Sequence, residues 1–139
     1  VTGASCVVGK GLVFSIMIDY FPQTAELLDT RVIFFPFILA AIVKSAQGSS
    51  TVALTTAAGI VPPILPVLGL DSPIRATLAV MAIGAGAMTV SHANDSYFWV
   101  VTNFGAMTPE KGYKTQTMAT LVLGLSGMLE IFILSLFLH

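Results

Sequence analysis

The sequence predicts an all-α integral membrane protein in which a re-entrant helical hairpin and a broken transmembrane helix precede one full-length crossing. Three observations lead there. Of its 139 residues 55% are hydrophobic and only 9% charged, and the mean hydropathy of +0.91 lies far above that of a soluble domain. The apolar runs are mostly too short for a hydrocarbon core of roughly 30 Å, and one is long enough. The short runs flank two polar segments, "AQGSST" and "SHANDS", that a soluble fold would place on its surface.

The same composition narrows the function classes. A net charge of −1 with scattered Lys and Arg offers no surface for a polyanion, so nucleic acid is not an expected partner. The single cysteine, Cys6, allows no internal disulfide and no thiolate metal site, and His92 and His139 lie far apart. No metal and no cofactor are expected. The opening "VTGASCVVGKG" lacks an initiator Met and a signal peptide, and "ILSLFLH" stops just after an apolar helix. Residues 1–139 therefore read as a single partial membrane domain, the C-terminal fragment of a longer protein.

Residues 4–30 read as an interfacial helix and its connection, the end of a spanning helix whose start is missing being the alternative. Leu12, Val13, Ile16 and Tyr20 keep helical spacing, but Lys10 and Asp19 cut the apolar run short of a span. Residues 32–69 read as the re-entrant hairpin. "VIFFPFILAAIV" is roughly 18 Å of helix before Lys44, and the chain is apolar again from "VALTTAAGIVPPILPVLGL", where Pro62, Pro63 and Pro66 end or bend the second arm. A single straight helix through this region would bury Lys44 and Gln47 at its centre. Lys44 is expected to snorkel or to touch the hairpin's surroundings.

Residues 74–104 read as the broken helix. The first part, 74–90, carries Ala82 and Gly86 as a small-residue edge for close packing. After "SHANDS" the run "YFWVVTNF" adds only about 12 Å, so the two parts span together and not singly. A polar loop, "GAMTPEKGYKTQ", then leads into the last transmembrane helix, 117–138, roughly 33 Å long. Gly124 and Gly127 give it a packing edge and Glu130 interrupts its apolar surface. Lys111 and Lys114 place that loop in the cytoplasm, with the C-terminus, the hairpin mouth and the Asp71 loop outward; Arg31 and Arg75 pull the other way.

Non-helical backbone at membrane depth must be satisfied by protein or a wet cavity, so a break there marks a site. Ser91, His92, Asn94 and Asp95 could together hold a polar solute or a proton; an ordinary loop at the membrane edge is the alternative. At the hairpin tip Gly48 allows close approach, and Ser49, Ser50 and Thr51 bring hydroxyls to a half-helix N-terminus that suits a carboxylate. A simple N-cap is the alternative there. Asp95 is the first candidate for proton coupling and His92 the second, unless they only pair or cap a helix. Tyr97 and Trp99 suit an interfacial belt or a substrate wall.

The run "AAIVKSAQGSSTVALTTAAGIVPPIL" together with "MAIGAGAMTVSHANDSYFWVVTNFG" and "KTQTMATLVLGLSG" resembles the gluconate permease family of proton symporters. The likeness covers most of residues 36–127. It implies the fold of the ion-transporter superfamily, two inverted repeats each with a re-entrant hairpin and a broken helix, of which this chain is the second. It also implies a multi-pass protein of the bacterial inner membrane that takes up gluconate or a related sugar acid with protons. Carried over, Gln47, Gly48, Ser49, Ser50, Thr51, Ser91, His92 and Asn94 form half of a substrate site, with Asp95 and His92 for proton coupling. Lys44 stands where relatives carry Arg, and Glu130 belongs to no motif of the family.

The expected partners are thus gluconate or a related organic anion, protons, the lipid bilayer, the missing N-terminal repeat and a second copy in a homodimer. The fragment alone is not expected to transport, since a site between inverted repeats needs both. Alternatives are a carrier for another organic anion, coupled to protons or Na+, a structural membrane subunit, and an intramembrane enzyme using His92 and Asp95, or Ser91 with His92. Ser91 and His92 make a poor dyad on a continuous helix, because neighbours in sequence do not face each other. A transporter with no catalytic residues is the reading adopted.

Overall fold

A computed structural model describes residues 32–138, and among them every regular element is helical. The expected interfacial helix and connection at 4–30, with Cys6 and Arg31, lie outside the described residues, as does His139. The first helix, α1 (Phe34–Gln47), ends because Gly48 turns left-handed at φ 71°, with its N–H returned to the Lys44 carbonyl at 2.8 Å. Ser49 is extended and its hydroxyl accepts from the Val52 N–H at 3.4 Å, which starts α2 (Ser50–Ile60) at once.

The two helices fold back on each other. Ala40 of α1 meets Ala57 and Val61 midway along, and Val32 meets Ile64, Leu68 and Leu70 at the open end. Pro62 and Pro63 stop α2, since neither can donate to the preceding turn, and a short 3-10 turn, Pro62–Ile64, leads away.

Ser72 then caps α3 (Pro73–Met88), with Pro73 in the first turn, where its missing N–H costs nothing. The Ala82 and Gly86 edge faces α1: Ala82 packs on Ile33 and Phe37, and a Cβ on Gly86 would overlap the Phe37 carbonyl. Helical geometry stops at Met88, not at residue 90, and resumes in α4 (Ser96–Phe104).

The last helix, α5 (Pro109–Phe137), starts at Pro109 and not at 117. Thr108 caps it and Pro109 fills its first turn, so the expected polar loop shrinks to the few residues after Phe104. A π-turn, Tyr113–Thr117, is built into it. Its glycine edge faces α3, where Gly124 lies against Thr89 and Gly127 against Ala85. Phe132 stacks obliquely on Phe34 at 5.4 Å, so the C-terminal end of α5 lies beside the open end of the hairpin.

Phe98 and Thr102 of α4 pack on Gly112, and Phe98 on Tyr113, ahead of the point where α5 meets the break. Thus α4 carries on beyond α3 and does not double back. Only α5, among the described residues, is long and apolar enough to cross a membrane alone. The 16 residues of α3 make about 24 Å of helix and the nine of α4 about 13 Å. Neither spans a core of roughly 30 Å, and end to end they exceed it.

Candidate functional site

The hairpin tip and the break between α3 and α4 meet at one point. A Cβ on Gly48 would overlap the Asn94 carbonyl, so only glycine lets the two backbones touch there. Asn94 completes the contact by donating its side-chain amide to the Ala46 carbonyl at 3.1 Å and the Ser45 carbonyl at 3.4 Å. The last carbonyls of α1, which have no partner in their own helix, are thereby satisfied by the break.

The break is in turn held by α5. Ser91 donates its N–H to Thr120 Oγ1 at 2.9 Å and accepts at its carbonyl from Thr117 Oγ1 at 2.6 Å. The N–H and the carbonyl of Ser91, left without helical partners by the break, thus both find them on a neighbouring helix. The π-turn ends at Thr117, beside this clamp. Val90, just before Ser91, sits at φ 52°, a strained conformation for a β-branched residue that the surrounding contacts must impose.

Asp95 is the centre of the site. Its Oδ1 accepts from the Tyr97 N–H at 3.0 Å and caps α4, while Oδ2 accepts from Ser91 Oγ at 2.7 Å and from Lys44 Nζ at 2.5 Å. Lys44 is completely buried and Asp95 5% exposed. Lys44 therefore does not snorkel: it turns inward from α1 and pairs with a carboxylate from the far side of the break.

On the open side of Asp95 lies a cavity of about 360 Å³. Gly48, Ser49, Ser50 and Thr51 form one wall, at the start of α2, and Met88, Asp95, Ser96 and Tyr97 form the other. The positive end of α2 and a row of hydroxyls thus face the carboxylate end of an ion pair. Among the described residues no three His, Cys, Asp or Glu side chains converge as metal ligands.

Of the residues singled out in the sequence, Gly48, Ser49, Ser50, Thr51, Asp95 and Tyr97 share this cavity. Ser91 and Asn94 support it from behind. Gln47 is exposed at the end of α1 and His92 is half-buried; neither lines the cavity. The His92 ring does not reach the Asp95 carboxylate, its Nδ1 lying 3.2 Å from the Val90 carbonyl. Trp99 donates its indole N–H to the Ala93 carbonyl at 2.8 Å and so pins the break.

Sequence reasoning missed Lys44 as the partner of Asp95, although a lone Lys and a lone Asp in apolar surroundings signal a pair. It also missed Met88, Ser96, Thr117 and Thr120. For the two threonines no signal beyond their shared face of one helix was present.

Comparison with known proteins places the chain in a family. The profile described as GntP family permease matches residues 1–137. The inner membrane permease YgbN of Escherichia coli is 36% identical over 93% of this chain and 28% of its own length. A gluconate permease of Pseudomonas aeruginosa is 39% identical over 75% of the chain and 22% of its own length. A low-affinity gluconate transporter of E. coli is 41% identical over 66% of the chain and 20% of its own length. The chain thus spans between a fifth and three tenths of these relatives. No solved structure matches. With nearly its whole length matched, the chain belongs to the GntP permease family, and so to membrane transport proteins and not to enzymes.

Proposed function

We propose that this chain is the C-terminal repeat of a carrier that takes up gluconate or a related sugar acid together with protons across the bacterial inner membrane. The observation that carries this is the meeting of a half-helix N-terminus, its hydroxyls and a buried ion pair around one cavity, in a family with members named for gluconate transport. A small polyhydroxylated carboxylate needs what this cavity offers: hydroxyl partners for its hydroxyls, free N–H groups and positive charge for its carboxylate.

The hairpin is read as re-entrant and the α3–α4 unit as one interrupted crossing, which puts the cavity about 13 Å from one surface and about 24 Å from the other. The N-terminal repeat of the parent closes the second half of the site, and a homodimer is the assembly expected. Orientation follows Lys111 and Lys114, at the exposed start of α5, toward the cytoplasm.

Uptake of radiolabelled gluconate by vesicles holding the full-length parent, with and without an imposed proton gradient, tests the reading. Accumulation that needs the gradient supports it. Accumulation that follows a Na+ gradient instead overturns the proton part, and no uptake of any sugar acid overturns the substrate.

A further inference from the structure

We propose that Lys44 is the cation that receives the carboxylate of the transported acid, and that Asp95 hands it over by taking a proton. This inference rests on the symport reading above. It begins with where the two groups stand. Asp95 lies in the cavity wall, whereas Lys44 is completely buried behind it, and among the described residues Asp95 is the one partner of the ammonium. A buried ion pair is a poor way to gain stability, because desolvation consumes most of the attraction. Its placement directly beneath a solute-sized cavity asks for another role.

An acid anion entering this cavity meets the Asp95 carboxylate first, and like charges repel strongly in a medium of low dielectric. Protonation of Asp95 removes the repulsion and releases Lys44 in the same event. The substrate carboxylate then takes the place that Oδ2 held at Nζ. Charge balances between the end states: ammonium and carboxylate before, and ammonium, protonated Asp95 and substrate carboxylate after, each summing to zero. One proton from the water of the cavity accompanies one anion, and the buried site is neutral both before and after the exchange.

The surrounding groups fit the exchange. The Ser91 hydroxyl now donates to Oδ2 at 2.7 Å and can turn to accept from it once that oxygen bears a proton. The Tyr97 N–H stays on Oδ1. Among the described residues no other acid competes: α2 contributes hydroxyls, the end of α3 contributes Met88 and Thr89, and α5 faces the break with Thr117 and Thr120. The other titratable groups nearby among the described residues are His92, turned to the Val90 carbonyl, and the phenol of Tyr97 in the cavity wall.

The test uses the full-length protein in liposomes, with gluconate uptake driven by a pH gradient and gluconate exchange at equal pH. Asp95→Asn is expected to lose gradient-driven accumulation yet still exchange gluconate, with a half-saturation that no longer moves with pH. Lys44→Gln should bind gluconate about ten- to a hundredfold more weakly, as loss of a charged hydrogen-bond partner implies, and Lys44→Arg should restore binding. Should a single variant fail to fold, the neutral pair Lys44→Gln with Asp95→Asn, which removes both charges together, carries the test and should bind as weakly as Lys44→Gln. Wild-type affinity in that double variant, or gradient-driven accumulation by Asp95→Asn, overturns the inference while leaving the symport reading intact. A wild type that accumulates no sugar acid under the gradient overturns both.

Discussion

Gly48 and Asn94 meet backbone to backbone, 46 positions apart, where the hairpin tip touches the break between α3 and α4. Gly48→Ala puts a methyl group into the Asn94 carbonyl and imposes a left-handed φ on a residue with a Cβ, a backbone cost of about 1–2 kcal/mol before any clash. The tip must retreat from the break, and the cavity between them must change shape. The expected outcome is loss of gluconate uptake with the protein still inserted, read by transport and by melting of the purified full-length protein. Uptake at the wild-type level would show that the contact does not shape the site.

Thr120 Oγ1 accepts the N–H of Ser91 at 2.9 Å. Thr120→Val keeps the shape of the side chain but leaves that donor unpaired, at a cost of about 1–3 kcal/mol. Thr120→Ser should restore most of it. Thermal unfolding of the two variants in detergent decides the matter, and equal midpoints would mean that water replaces the hydroxyl.

The two glycines of α5 should differ. A Cβ on Gly124 would overlap the Thr89 hydroxyl, while one on Gly127 would stand 3.6 Å from the Ala85 Cβ, an ordinary contact. Gly124→Ala is therefore expected to push α5 from α3 and lower the melting temperature. Gly127→Ala should be neutral or slightly stabilising, since alanine favours a helix by about 1 kcal/mol over glycine. The reverse order would contradict the observed face of α5.

Ser49 both caps α2 and lines the cavity, whereas Ser50 only lines it. Ser49→Ala removes the cap of α2 and should cost about 1 kcal/mol of stability. Ser50 lines the cavity without capping the helix, so Ser50→Ala should instead raise the half-saturation for gluconate about two- to tenfold, the loss of one hydrogen bond. Paired melting and uptake measurements distinguish the two effects.

Asp71 and Glu110 lie at opposite ends of the helices, both exposed. In a Cys6→Ser background, a cysteine at Glu110 should react with an impermeant thiol reagent from the cytoplasmic side, and one at Asp71 only from the other side. Labelling of both from one side would contradict the orientation taken from Lys111 and Lys114.

Much of this was written locally. The apolar runs, Gly48 and the serines that follow it, Ser72 before Pro73, and the prolines after Ile60 all announce helix starts and stops, because capping and backbone donors are decided within a few residues. Where the expectation slipped, as in starting α5 at 117, the charges of "PEKGYK" hid the Thr108 and Pro109 start signal. Composition likewise settled the solvent: a chain with 9% charged residues cannot cover itself in water.

What the sequence by itself determined is therefore a set of helices, their interruptions and the polarity of each interruption. Only the tertiary structure decided that Lys44 reaches Asp95 across 51 positions, that His92 stays out of the cavity, and that Thr117 and Thr120 hold the broken backbone. The physical reason is that periodicity tells which face of a helix is apolar, whereas a partner is chosen by how whole helices pack. That choice rests on close approaches such as Gly86 on Phe37 and Gly124 on Thr89, which no local pattern records.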